Sequence, residues 1–282
     1  MSDFAIITAD APLILVGCGK MGGALLKGWL GQGLDPAAVR VIEPDFQRLQ
    51  DEFKATSLPA SAFVASAADL GAGLKPSVVV LAVKPQVMDA AVVPLLAFAG
   101  AGCVFISIAA GKTVDYFETK LGAKAAVIRA MPNTPAAIGV GMTVAFANEN
   151  TGADQKAVCE AMMSAVGQFA WLDDEGFIDA VTAVSGSGPA YVFYLTECLE
   201  AAAKAAGLPD ALARALAMQT VVGAGALLSA TSEGAAVLRR NVTSPHGTTE
   251  AALDILMAKD GMAPLLRKAV IAATKRSREL SE

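Results

Sequence analysis

Residues 13–24 read Leu-Ile-Leu-Val-Gly-Cys-Gly-Lys-Met-Gly-Gly-Ala, an apolar tetrad that runs directly into G-x-G-x-x-G and then into a helical pattern. Few arrangements satisfy that order. Gly17 permits a tight turn after a strand, Gly19 lets the backbone approach a pyrophosphate, and Gly22 allows close contact between helix and strand. The helix N-terminus then faces the phosphates with its free N–H groups. On its own the pattern is weak in a chain rich in alanine and glycine, where it is often an ordinary turn. The strand before it, the helix after it and a second strand about 20 residues later make Gly17, Cys18, Gly19, Lys20, Met21 and Gly22 a candidate dinucleotide cradle.

Glu43 falls at the end of that second strand, where a carboxylate accepts both ribose hydroxyls of NAD and repels the 2′-phosphate of NADP. NAD(P)H is therefore the expected cofactor, with Glu43 favouring NADH. Arg40 and Arg48 flank the position and offset the repulsion if they turn towards it. The plain alternative is a solvated Glu at the start of the turn Glu43-Pro44-Asp45.

Short β-branched runs at 13–16, 39–43, 78–83, 104–108 and 126–129 alternate with helical stretches, and a further strand is expected at 142–147. Such alternation implies an α/β fold with a parallel sheet and crossover helices. The run Val78-Val79-Val80-Leu81-Ala82-Val83 is apolar at every position, as in a sheet covered on both faces. After Trp171 the strands stop, and Ala/Leu-rich helical runs follow. A Rossmann-type dinucleotide-binding domain is thus expected over 1–172, with an all-helical domain over 173–282.

Composition narrows the chemistry. The 282 residues carry 22 Lys+Arg against 27 Asp+Glu, for a net charge of −5, and the only histidine is His246. One His excludes a His-rich metal site, and no metal is expected. A pI near 5.0 is a poor match for nucleic acid, whose phosphates demand clustered Lys and Arg.

The apolar content, 54% with a mean hydropathy of +0.51, raises the question of a membrane. Uncharged segments at 90–111 and 215–232 approach the ~20 residues that a spanning helix needs. Pro94, Gly100, Gly102 and Ser107 break the first, and Gln219, Gly223, Gly225 and Ser229 interrupt the second. Both are expected to be buried elements, the second at a subunit contact, and no membrane association is expected. The first eleven residues lack the basic region of a secretory signal. Cys18, Cys103, Cys159 and Cys198 form no C-x-x-C pair and read as small buried hydrophobes. Cytoplasmic residence is expected.

Other segments fall where an open α/β sheet meets its ligands, at strand C-termini. Ala82, Val83, Lys84 and Pro85 follow the 78–83 run, and Met131-Pro132-Asn133-Thr134-Pro135 follows the 126–129 strand, with two prolines stiffening the loop that carries the Asn133 amide. Ser185-Gly186-Ser187-Gly188-Pro189-Ala190-Tyr191 and Ser244-Pro245-His246-Gly247-Thr248-Thr249 each lead into a helix.

With these segments in order along nearly the whole chain, the sequence resembles the pyrroline-5-carboxylate reductases. The resemblance implies a Rossmann domain followed by a helical domain that interlocks with a second subunit as a homo-oligomer built from dimers. It also implies hydride transfer from NAD(P)H to the cyclic imine 1-pyrroline-5-carboxylate, giving L-proline, the last step of proline biosynthesis. Cofactor contacts are then expected from the glycine loop, Glu43, Ala82, Val83, Lys84, Pro85 and Asn133. Substrate contacts are expected from Ser187, Ser244, Gly247, Thr248 and Thr249. The helix start at Gly247-Thr248-Thr249 offers N–H groups to the carboxylate. The Thr249 hydroxyl, by resemblance, lies nearest the ring nitrogen as the catalytic side chain. Without the resemblance, Ser244, Thr248 and Thr249 are ordinary helix caps.

Three residues depart from the family pattern. His246 stands where Gly is usual, Arg240 stands where an acidic residue is common, and Lys20 replaces an amide in the glycine loop. His246 is either a plain loop side chain or, beside the carboxylate site, a source of pH-dependent affinity. Other readings are a β-hydroxyacid or ketopantoate type of reductase, which relies on a helical-domain Lys such as Lys204, and a non-catalytic NAD-binding regulator.

Overall fold

The computed structural model describes residues 4–71, 73–100 and 102–281; residues 1–3, 72, 101 and 282, which include the outer ends of both expected domains, lie outside the described residues. Contacts divide the chain into two compact units, one over residues up to 186 together with 274 onward, the other over 187–273.

The first unit is built on one eight-stranded sheet in the order β3-β2-β1-β4-β5-β6-β7-β8. Its strands are β1 (Leu13–Val16), β2 (Val39–Ile42), β3 (Phe63–Val64), β4 (Val78–Leu81), β5 (Val104–Ser107), β6 (Ala126–Met131), β7 (Gly141–Ala147) and β8 (Gly167–Trp171). Strands β1 to β6 are parallel, which agrees with the alternation in the sequence. β7 runs antiparallel to β6. Residues 132–140 between them are too few for the crossover of a dozen or more residues that a parallel neighbour requires. β3 and β8 were not legible in the sequence: β3 has two residues, and β8 is a mixed edge strand, Gly-Gln-Phe-Ala-Trp, with no fully buried position.

Helices cover both faces of this sheet. Leu13 and Leu15 point into one apolar cluster with Leu25, Leu26 and Trp29, while Ile14 and Val16 point into another with Met88, Phe105 and Phe117. Helix α1 (Lys20–Gly31) lies on the first face, and its Trp29 is fully buried with Nε1 donating to the Met162 carbonyl at 2.8 Å on α5 (Ala153–Ser164). Burying ~200 Å² of indole at ~25 cal/mol per Å² is worth about 5 kcal/mol, and the hydrogen bond satisfies the indole N–H. The helix that starts at the glycine loop is thereby fixed to the body of the domain. The remaining helices of this unit are α2 (Gln47–Glu52), α3 (Met88–Val92), α4 (Val114–Leu121) and α6 (Ile178–Val181).

The second unit contains α7 (Gly188–Ala205), α8 (Asp210–Ala230), α9 (Ala235–Asn241), α10 (Thr248–Leu256) and most of α11 (Met262–Glu279), without strands among the described residues. Its long pair is not buried within the chain. No residue of α7 is buried, and in α8 only Ala213 and Ala217 are. Cys198, read from the sequence as buried, is exposed on α7, whose face none of the described residues covers there. Likewise the apolar segment at 215–232 lies in α8 as far as Ala230 and is largely uncovered; α8 is long and apolar enough to cross a membrane by length and composition.

Candidate active site

The strand order reverses at β1, which pairs with β2 on one side and β4 on the other. Ligands of open α/β sheets bind at such a switch point. Gly17 leaves β1 at φ 89°, a conformation that strains side chains, and a Cβ there would come within 2.8 Å of Val83 Cγ1 and 2.9 Å of the Ala82 carbonyl oxygen. A Cβ on Gly22 would collide with the Gly17 carbonyl oxygen. At Gly19, by contrast, nothing lies within 4 Å of where a Cβ would stand. Two glycines therefore close the turn, and the third leaves open space above the N-terminus of α1. That is the shape of a pyrophosphate cradle, and the residues present fit a dinucleotide.

The carboxylate of Glu43 sits beside this loop, where Oε2 accepts the Cys18 backbone N–H at 2.9 Å. The flanking arginines are engaged elsewhere. Arg40 turns back to donate to the carbonyls of Ala37 (3.0 Å) and Val39 (2.7 Å), and Arg48 pairs with Asp45 at 3.6 Å and Glu52 at 3.7 Å. Burial, reinforced by Glu52 and Glu43, pushes the Cys18 thiol up to about 12, so it stays a neutral S–H within the loop. Lys20 is exposed at the first position of α1, and Met21 is half-buried.

On the other side of the switch point, Ala82 and Val83 border Gly17, Lys84 is exposed, and Pro85 begins a short 3-10 turn. Asn133 leaves β6 with both ends of its amide engaged: Nδ2 donates to the Ser185 carbonyl at 3.1 Å, and Oδ1 accepts the Met142 N–H at 2.8 Å. It braces the loop against the segment that leads into α7. Arg129, not singled out from the sequence, is the large charged side chain buried in β6, paired to Glu175 at 2.9 Å. A lone cation in the apolar run Ala-Val-Ile-Arg-Ala-Met was the signal that would have found it.

In the second unit, Ser187 immediately precedes α7. The loop 244–249 turns tightly, with the Gly247 N–H donating to the Ser244 carbonyl at 3.0 Å, and α10 starts at Thr248. The N-cap of α10 is Gly247, with no side-chain cap, so Thr248 and Thr249 are not the capping residues. Their N–H groups belong to the first turn, which lacks intrahelical acceptors. His246 has φ 60°, and its N–H donates to Glu250 Oε2 at 2.7 Å.

Lys204, the general acid that a β-hydroxyacid type of reductase would need, pairs with Glu200 at 2.9 Å and Asp210 at 3.7 Å. The hydrogen bond to Glu200 raises its pKa, the wrong direction for releasing a proton. Among the described residues, no three His, Cys, Asp or Glu side chains gather into a metal set.

A Rossmann cradle at the switch point, an acidic residue at the end of β2 and a separate helical unit define an NAD(P)H-dependent oxidoreductase. Residues 175–280 match the family described as pyrroline-5-carboxylate reductase dimerisation, and residues 13–111 match the one described as NADP oxidoreductase, coenzyme F420-dependent. The chain belongs to the pyrroline-5-carboxylate reductase family. It is 39% identical to the pyrroline-5-carboxylate reductase of Pseudomonas aeruginosa over 96% of this chain and 97% of that one. Among solved structures it resembles a pyrroline-5-carboxylate reductase from Coxiella burnetii, with a TM-score of 0.88 and 35% identity over 97% of this chain and 99% of the other. It also resembles the Plasmodium falciparum pyrroline carboxylate reductase solved with NADP bound, with a TM-score of 0.79 and 25% identity over 98% and 100%.

Proposed function

We infer that this chain reduces 1-pyrroline-5-carboxylate to L-proline as a cytoplasmic NAD(P)H-dependent enzyme. The observation that carries this reading is the likeness to reductases of that name at 39% identity across both units, joined to a glycine loop shaped for a dinucleotide. When bound, the nicotinamide supplies a hydride to C5 of the imine. A protonated imine is already electrophilic, so the protein's task is to orient it and place polar groups around it.

Thr249 is proposed as the side chain that hydrogen-bonds the ring nitrogen, first as iminium N–H and then as the amine it becomes. The N–H groups at Gly247, Thr248 and Thr249, with the hydroxyls of Ser244 and Ser187, are proposed to hold the substrate carboxylate. Gly17 to Gly22, Ala82 to Pro85 and the Asn133 loop are proposed to hold the cofactor. Glu43, free of any arginine partner, favours NADH, because an uncompensated carboxylate beside the ribose repels a 2′-phosphate.

The apolar faces of α7 and α8 support a homo-oligomer built from interlocked dimers. Val192, Phe193, Met218 and Val222 are exposed in the single chain and line one hollow, and an exposed apolar patch of this kind marks an interaction site.

The test is oxidation of NADH and of NADPH, followed at 340 nm, by the purified protein with 1-pyrroline-5-carboxylate. Turnover of at least one cofactor is expected. Failure with both would sink the reading.

A further inference from the structure

Every residue of β6 is buried, and Arg129 in its middle is 2% exposed. Its Nη1 donates to Glu175 Oε1 at 2.9 Å, while Nε and Nη2 are buried without a hydrogen-bond partner. Unpaired donors on an enclosed cation are unfavourable, and exchanging a buried ion pair for apolar groups is often neutral or stabilising. Stability alone gives no reason for an arginine here.

Its connections give one. Glu175 Oε1 also accepts the Val114 N–H at 2.9 Å, so a single carboxylate oxygen joins β6, the start of α4 and the first residue of the 3-10 turn Glu175–Phe177. From there the chain passes through α6 and a π-helical turn, Thr182–Gly186. Near the end of that turn the Ser185 carbonyl accepts Asn133 Nδ2, from the loop that leaves β6. Between the two pins, Asp179 accepts the Ser277 hydroxyl at 2.6 Å. Segment 175–186 is therefore held at three points, two of them supplied by β6 and its loop. The next residue is Ser187, at the entrance to α7.

We propose that Arg129 is a positioning residue for substrate binding: through Glu175 it fixes the connector 175–186, and so the entrance to α7 at Ser187. The role rests on the substrate reading given above. It requires that removing the pair harm imine binding without harming the fold or the cofactor cradle.

The test compares the wild-type chain, Arg129→Lys and the double variant Arg129→Met/Glu175→Gln, the last chosen so that no unpaired charge remains. Expected for the double variant are a urea midpoint at or above that of the wild type, an NADH dissociation constant within about twofold, and a KM for 1-pyrroline-5-carboxylate raised about tenfold or more with a smaller change in kcat. Arg129→Lys, whose ammonium still reaches towards Glu175, should recover part of the loss. An unchanged KM, or parallel losses of stability and kcat with KM unmoved, would overturn the proposal. Hydrogen exchange at amides 182–186 reads the connector without any activity. Exchange about tenfold faster in the double variant supports the role, and equal exchange contradicts it. An inactive wild-type protein would sink the substrate reading instead, leaving the exchange result to decide whether Arg129 fixes the connector.

Discussion

The carboxylate of Glu250 accepts the backbone N–H of His246 at 2.7 Å, and His246 is, among the described residues, the one non-glycine at positive φ. The left-handed conformation costs an L-residue about 1–2 kcal/mol, whereas glycine adopts it freely at an entropic cost of about 0.5–1 kcal/mol. His246→Gly is expected to raise stability by about 0.5–1 kcal/mol in urea unfolding. The same variant decides whether the imidazole tunes binding. A KM-against-pH profile identical to that of the wild type would leave His246 a strained loop residue and nothing more.

Because Gly247 rather than a threonine caps α10, Thr249→Ala should leave urea stability within about 0.5 kcal/mol. It should lower kcat/KM by about 10- to 100-fold if the hydroxyl meets the ring nitrogen. Matched losses of stability and activity would make Thr249 a structural residue.

Glu43→Gln keeps an acceptor for the Cys18 N–H and removes the charge. The ratio of kcat/KM for NADPH over NADH should rise about tenfold, equivalent to ~1.4 kcal/mol of lost repulsion. A ratio that does not move would place the ribose away from Glu43.

Three thiols are held neutral by burial: Cys18 and Cys103 are each pushed up to about 12 from 9.0, and Cys159 is shifted in the same direction. Between those values the unfolded chain has released protons that the folded one retains. Stability is therefore fully present below about pH 9 and falls as pH rises towards 12, by up to ~1.4 kcal/mol per pH unit for each thiol. Denaturant midpoints measured from pH 8 to 11 check the sign. Titration of the native protein with a thiol reagent at pH 8 should leave these three unreacted until denaturant is added.

Met218 and Val222 lie one helical turn apart on the exposed stripe of α8. Met218→Glu/Val222→Glu should convert an oligomer into monomers in sedimentation velocity and abolish activity with it. A wild-type chain that sediments as a monomer would contradict the proposed assembly.

The glycine loop, the parallel strands β1, β2, β4, β5 and β6 and the helical second half were legible in the sequence because each is encoded locally. A turn that needs glycine, a strand apolar on both faces and a helix of period 3.6 declare themselves within a few residues. β8 did not, since an edge strand covered unevenly has no such period. The exposure of Cys198 was also hidden, because burial on α7 depends on a surface that this chain does not supply by itself.

By itself the sequence determined the cradle's chemistry: which backbone turns are possible at Gly17 and Gly22, and that an acidic side chain ends β2. Only the tertiary structure decided which groups meet: Glu43 with the N–H of Cys18, Asn133 with the carbonyl of Ser185 52 residues on, and Arg129 with Glu175 46 residues away. Periodicity states which face a residue occupies but not what lies opposite, and a buried cation or amide is fixed by the partner that satisfies it. That partner is chosen by how distant strands and turns pack, a property of the folded chain as a whole.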